Sequence, residues 1–281
     1  MAISLPVALM ALAAIQQTDT TIAVSPTARL DVANQAGAII VRTWNRNELR
    51  VRAEHGSRDI IEIESRGSVV TLKARRRMGM PAIVDYELTV PVTMSLKLGG
   101  IHAEVDVTGV TGDISAESIE GDIIVRGAGN VNLGSVEGDI TVIGARGQVR
   151  VHGVDGDIRV SDVIGDVSAE TIDGDVTLHG IDGANIDAST IDGEVSYHGT
   201  IREGGRYRLT SHDGDVICAI PTNANASFTV ATFDGEFEAD PAFRVQVTGA
   251  RPGRRFSFVL GNGSAQVELE SFDGSILLRR Q

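Results

Sequence analysis

An acidic-Gly turn recurs eight times in this chain, with a second acid after the Gly in seven copies and apolar flanks in nearly all, and constrains its fold more than any other feature. It reads IEGDI at 119–123, VEGDI at 136–140, VDGDI at 154–158 and IDGDV at 172–176. It continues as IDGEV at 191–195, HDGDV at 212–216, FDGEF at 233–237 and FDGSI at 272–276. The central glycines are 17, 18, 18, 19, 21, 21 and 39 residues apart. Self-similarity at a near-fixed period is the signature of a repeat architecture. A weaker copy, G-x-apolar-x-apolar, precedes several of these turns at Gly112, Gly147 and Gly165. The unit is therefore about 18 residues, built from two half-units.

After each strong glycine the second and fourth residues are apolar, as in Ile140 and Val142, Ile158 and Val160, or Val176 and Leu178. The residue between them varies freely: Thr141, Arg159, Thr177. Alternation with period two marks a strand with one buried face. A hairpin meander does not need the same turn chemistry at every second corner. A stacked coil does, because equivalent residues lie above one another. The sequence thus predicts an all-β, single-stranded parallel β-helix (β-solenoid) of about 18 residues per coil. Its coils stack in sequence order at about 4.8 Å. Gly suits the corner because it adopts positive φ without steric cost. A Ser or Thr stands three residues before the Gly in seven copies: Ser118, Ser135, Thr171, Thr190, Ser211, Thr232 and Ser271. Gly153 fills that place in the remaining copy.

Charge follows the same organisation. Residues 1–101 carry 12 basic and 9 acidic side chains, residues 102–240 carry 7 and 26, and residues 241–281 carry 6 and 3. A shift of this kind marks an organisational boundary. We expect an N-terminal β cap over 20–101, a regular body over 102–240 and a C-terminal β cap over 241–281, in one continuous domain from 20 to 281. Caps prevent end-to-end association of repeat arrays. Residues 3–15, ISLPVALMALAAI, are too short for a membrane-spanning helix and suit the apolar core of a secretory signal peptide. Ala11-Leu12-Ala13 offers a cleavage site, so residues 1–15 predict export to the periplasm, cell surface or medium. The net charge of −13 argues against nucleic-acid binding. A single cysteine excludes an internal disulfide framework.

The run of apolar-D-G-D/E-apolar repeats, the Y-x-L-x-V-P segment from Tyr86 to Pro91 and the apolar N-terminus together resemble the bacterial β-strand-repeat family known as putative adhesin, a domain of unknown function. The resemblance spans about residues 20–281. It implies a location in the cell envelope or on the surface, and it carries over no catalytic residues.

The acidic residues that flank each Gly are the candidate chemistry. Two carboxylates 4.8 Å apart repel by about 0.9 kcal/mol even in water, so stacked columns need solvent, hydrogen bonds or cations. Calcium takes such oxygen ligands, and its candidates are Asp155, Asp157, Asp173, Asp175, Asp213 and Asp215. The competing expectation is that these side chains cap backbone donors in solvated turns. His179 and His198 occupy equivalent positions and would stack, without a third metal ligand. Cys218 takes an inward position equivalent to Leu178, which suits a small buried apolar residue. The run Arg75-Arg76-Arg77 reads as a solvated loop. No G-x-S-x-G, H-E-x-x-H, G-K-[ST] or dinucleotide fingerprint occurs. We therefore expect a non-enzymatic envelope or surface protein, a rigid acidic scaffold for a protein or glycan partner, with no cofactor. The alternatives are a calcium-binding solenoid and a polysaccharide lyase or hydrolase on a β-helix.

Overall fold

The computed structural model describes residues 15–76, 82–245 and 255–281. The proposed signal segment lies almost wholly outside the described residues, as does Arg77. The described residues are all-β but for one short 3₁₀ turn, Pro241–Phe243. Their 24 strands form one open, mostly parallel hydrogen-bonded sheet. No helix among them is long and apolar enough to cross a membrane.

The N-terminal part holds β1 (Ile15–Ala23), β2 (Arg29–Trp44), β3 (Glu48–Gly56), β4 (Asp59–Arg66), β5 (Val69–Arg76), β6 (Val84–Pro91) and β7 (Ser95–Thr108). The body holds β8 (Ile114–Glu120), β9 (Ile123–Arg126), β10 (Val131–Glu137), β11 (Ile140–Ile143), β12 (Val149–His152) and β13 (Ile158–Ser161). It continues with β14 (Val167–Glu170), β15 (Val176–Ile181), β16 (Asn185–Asp192), β17 (Val195–Gly199), β18 (Arg206–Asp213) and β19 (Val216–Ile220). The last group is β20 (Ala226–Asp234), β21 (Phe237–Ala239), β22 (Phe256–Leu260), β23 (Ala265–Asp273) and β24 (Ile276–Arg280).

In the body each strand pairs in parallel with the next but one, which gives two ladders. The even-numbered strands β8 to β18 make the first ladder, with Val131, Val149, Val167, Ile186 and Tyr207 in one row. The odd-numbered strands β9 to β19 make the second, with Ile140, Ile158, Val176, Val195 and Val216 in one row. These rows are buried. The residues between them are mostly half-buried or exposed, as the alternation requires. The core is the space between the two ladders, closed along a third side by Val110, Ala128, Ala145, Val163 and Ile181.

The two ends are built differently from the body. β2 and β7 each bend across both ladders and pair with one another from Arg29↔Ser95 to Val41↔Val107. Residues 29–44 are therefore already a rung, although their corner, Ala36-Gly37-Ala38, carries no acid. Beyond them the sheet turns antiparallel: β4 on β5, β3 on β6, and β1 on β3. Within this group the buried Asp59 carboxylate accepts from Arg76 Nε at 2.5 Å and from the Gly56 amide at 3.1 Å.

At the other end the stacking order departs from the sequence order. The Asp213 corner is followed in space by the Asp273 corner, because β23 lies between β18 and β20. Likewise β24 lies between β19 and β21. The chain makes its outermost rung first and then returns to fill the rung inside it. Identical corner chemistry allows this, since Ser271 Oγ donates to the Gly214 carbonyl as any neighbour would. Side-chain size favours it. The outer rung carries Phe228, stacked on Phe258 of the antiparallel β22 with ring centroids 4.8 Å apart. Those rings, with Phe243, cover the end of a core made mostly of aliphatic side chains.

Two predictions follow from this topology. A chain stopped after Ser264 loses the buried Val267, Leu269, Ile276 and Leu278 from an interior rung. At about 1.5–3 kcal/mol for each side chain, the C-terminal half should fail to fold cooperatively. Deletion of the largely exposed β1 should leave the melting transition nearly in place; thermal melts of the two truncations compare them. The second concerns acid. Arg76 beside Asp59 holds its carboxyl below the usual carboxylate range. A depressed folded-state value gives stability that is complete above the unfolded value of about 3.9 and is lost as pH falls through the folded one. Asp59→Asn should therefore lower Tm at pH 7 by several degrees, and the gap from wild type should narrow below pH 4.

Candidate functional site

The acidic corner joins a first-ladder strand to a second-ladder strand and stacks on its equivalents. Gly174 has φ +130°, and a Cβ there would lie 2.4 Å from the Gly156 carbonyl oxygen of the adjacent rung. Only glycine lets successive corners approach that closely. The hydroxyl three residues earlier points inward and is buried. Thr190 Oγ1 donates to the Gly174 carbonyl at 2.9 Å, and Ser211 Oγ donates to the Gly193 carbonyl at 2.8 Å. The hydroxyl column therefore joins rung to rung beneath the turns, except at Ser135, whose Oγ has no partner among the described residues.

The two acidic columns differ in role. The carboxylate after the Gly accepts the backbone N–H of the equivalent residue one rung on. The Asp139 amide donates to Asp122 Oδ1 at 3.0 Å, the Asp157 amide to Asp139 Oδ1 at 2.9 Å, and the Asp175 amide to Asp157 Oδ1 at 2.9 Å. Glu194 and Ser275 receive the same treatment from Asp175 and Asp215. Arg159 adds ion pairs to Asp139 and Asp157. Burial pushes the Glu194 carboxyl above its usual range, with the neighbouring Asp175 and Asp215 charges adding to it. The carboxylate before the Gly behaves otherwise. Asp155, Asp173, Asp192, Asp213, Asp273 and Asp234 form a continuous column through their backbone bridges. Of the two acids per corner, the one after the Gly bonds the backbone of the next rung, while in the outer column Glu120 meets His102 of the adjacent rung at 2.6 Å.

The six calcium candidates thus divide between the columns. Asp157, Asp175 and Asp215 cap the next rung, while Asp155, Asp173 and Asp213 stand in the outer column. Among the described residues no group of three His, Cys, Asp or Glu side chains converges as a metal site. His179 and His198 stack with ring centroids 6.0 Å apart. Burial, and then the His179 charge, lower the His198 value from its usual one. Cys218 is buried between Tyr197 and Leu278 in the ladder, and burial pushes its thiol up to about 12. Arg75 pairs with Glu62 and Arg76 with Asp59.

Sequence reasoning missed a third column. The residue just before the first acid points outward although it is apolar: Ile119 is 46% exposed, Ile172 46%, Ile191 51% and Phe233 68%. Val136 and Phe272 belong to the same exposed row. His212, Phe272 and Phe233 stack face to face at 4.8 Å spacing where the row ends. The signal was available. The buried hydroxyl sits one residue earlier, so period-two alternation turns this residue to solvent. The apolar row borders two separate depressions: one of about 940 Å³ lined by Ile119, Val136 and Val154, and one of about 540 Å³ lined by Ile191, Phe233 and Phe272.

A rack of parallel rungs joined by glycine-centred, hydrogen-bonded acidic corners defines a β-repeat scaffold. Residues 15–279 match the Toastrack DUF4097 family, and the chain belongs to it. This agrees with the resemblance carried by the D-G-D repeats. Nothing among curated proteins matches the chain. Three solved structures are similar over nearly its whole length. A putative cell adhesion protein from Clostridium sporogenes is 9% identical with a TM-score of 0.25, covering 95% of this chain and 100% of that one. A putative adhesin from Parabacteroides distasonis is 11% identical with a TM-score of 0.34, covering 95% and 97%. A putative lipid binding protein from the same organism is 8% identical with a TM-score of 0.36, covering 94% and 97%.

The capping role of the inner acids has a direct test. Asp175→Ala removes the acceptor of the Glu194 amide and should cost about 1 kcal/mol in a denaturant melt. Asp175→Asn keeps that acceptor and should cost less than half as much. It should also lower the Glu194 titration midpoint followed by NMR, because one neighbouring charge is gone.

Proposed function

We propose that the protein is a non-enzymatic cell-envelope or surface scaffold of adhesin type, which holds a rigid acidic face toward a protein or glycan partner. One observation carries this. The polar groups of the corners repeat rung after rung, and the inner ones bond the rack to itself. Catalysis by a carboxylate pair requires a local and asymmetric group of acid, base and substrate contacts. We take the scaffold as one continuous unit from 20 to 281. In it, coils of about 18 residues form a body over 102–240; the strands before it close one end, and at the other β23 and β24 complete an interior rung beneath the outer β20–β22. Residues 1–15 act as an export signal.

Two measurements test the proposal. Fractionation of the tagged full chain in a bacterial host should place it in the envelope or the medium; retention in the cytoplasm would overturn the surface assignment. Thermal melts in calcium and in EDTA should superimpose, because the Asp157, Asp175 and Asp215 carboxylates already serve the backbone. Saturating calcium at 100 times its dissociation constant would add about 2.7 kcal/mol. A rise in Tm with calcium and not with magnesium would replace the plain scaffold with a calcium-stabilised one.

A further inference from the structure

The exposed apolar row and the outer acidic column run side by side along the rack, one residue of each per rung. Solvent-exposed Ile and Phe in a continuous row are unusual on a soluble surface and mark a contact site. On its other side the row is flanked by Glu117, Glu170 and Glu270, set among the small residues Gly134, Ser189 and Ala231. Gly134 and Ala231 leave room for the two depressions. From Ile119 to Ile191 the surface is therefore an apolar seam with a carboxylate at every rung on one border and, on the other, Glu117 and Glu170 with Gly134 and His152 between them; Lys73 lies at its N-terminal end.

Charge excludes several occupants. A second copy would bring like carboxylates against these, and such contacts are destabilising. An anionic lipid surface or an acidic glycan would be repelled for the same reason. A partner with an apolar stripe flanked by Lys and Arg would be complementary on both sides. Spacing further narrows its form. Rungs repeat at about 4.8 Å, while an α-helix presents one apolar residue per 5.4 Å turn and an extended strand one same-face residue per about 6.7 Å. The helix stays nearer register over the four steps from Ile119 to Ile191.

We propose that this seam is the docking site for a basic amphipathic helix of a polypeptide partner. Its apolar stripe would lie on Ile119, Val136, Ile172 and Ile191. Its Lys and Arg side chains would meet the outer column of Glu137, Asp155, Asp173 and Asp192. This mode of recognition is helix-in-groove packing with electrostatic selection.

The proposal deepens the scaffold function above, and its test fails independently of localisation. The probe is a fluorescent Leu/Lys peptide of about 18 residues, about 27 Å as a helix, with leucines at i, i+3, i+4 and i+7. Its control has the same composition in strict alternation. Both are titrated into the full chain at physiological ionic strength and followed by anisotropy. The helical pattern should bind at least tenfold more tightly than the alternating one. The triple variant Ile119→Ser, Ile172→Ser, Ile191→Ser should weaken it at least tenfold with no change in charge. Glu137→Gln with Asp173→Asn and Asp192→Asn should do the same. Removal of three charges elsewhere, Glu54→Gln with Glu64→Gln and Glu203→Gln, should leave binding within twofold. All the altered isoleucines are exposed, and circular dichroism checks each fold; Ile172→Ser alone serves if the triple variant is unstable. No binding of the helical peptide, equal binding of the alternating one, or wild-type binding by the isoleucine variant overturns the proposal. The last result would mean charge attraction alone.

Discussion

Everything in this protein depends on how closely one corner can sit on the next. Parallel strands four to eight residues long cannot hold together as isolated pairs, and they persist here because each has a neighbour on both sides. That continuity is set at the turns. A missing Cβ at the glycine lets one backbone approach the carbonyl of the rung before it. The buried hydroxyl three residues back then satisfies that carbonyl, and the carboxylate after the glycine satisfies the next amide. These contacts replace the water that an irregular turn would otherwise need for its backbone groups.

The same arrangement explains why the chain tolerates so much negative charge. The carboxylates are not an undifferentiated cloud. Those after the glycine are tied to backbone donors and, at Asp139 and Asp157, to Arg159. Those before it project outward from the corner. The two kinds of carboxylate are thus separated by two positions in the sequence. Repetition makes each role a line rather than a point, running from rung to rung.

Repetition also relaxes the order of assembly. Because every corner carries the same donors and acceptors, the Asp273 unit can stack on the Asp213 unit although the Asp234 unit comes between them in the chain. What breaks the degeneracy is bulk. The phenylalanines of the outer rung and of β22 seal the core with stacked rings, whereas most body rungs carry Val, Ile, Leu and Ala inside, with Tyr197 and Tyr207 as their bulky members.

Much of this was legible in the residues themselves. The spacing of the glycines implied stacking, the alternation identified Ile140, Ile158 and Val176 as one inward row, and the hydroxyls before each glycine formed a recognisable column. Cys218 was legible as a core residue from its position alone. These follow because they depend on local geometry repeated at a fixed period, which a linear text records. The outward turn of Ile119, Ile172 and Ile191 was implied by the same alternation but masked by their apolar character. The place of β23 inside β20, the acid-free rung of residues 29–44 and the division of the acids into backbone-bonding and outer columns were settled only by tertiary structure. Each depends on which distant segments become neighbours, and identical corners leave that choice to the packing of the ends.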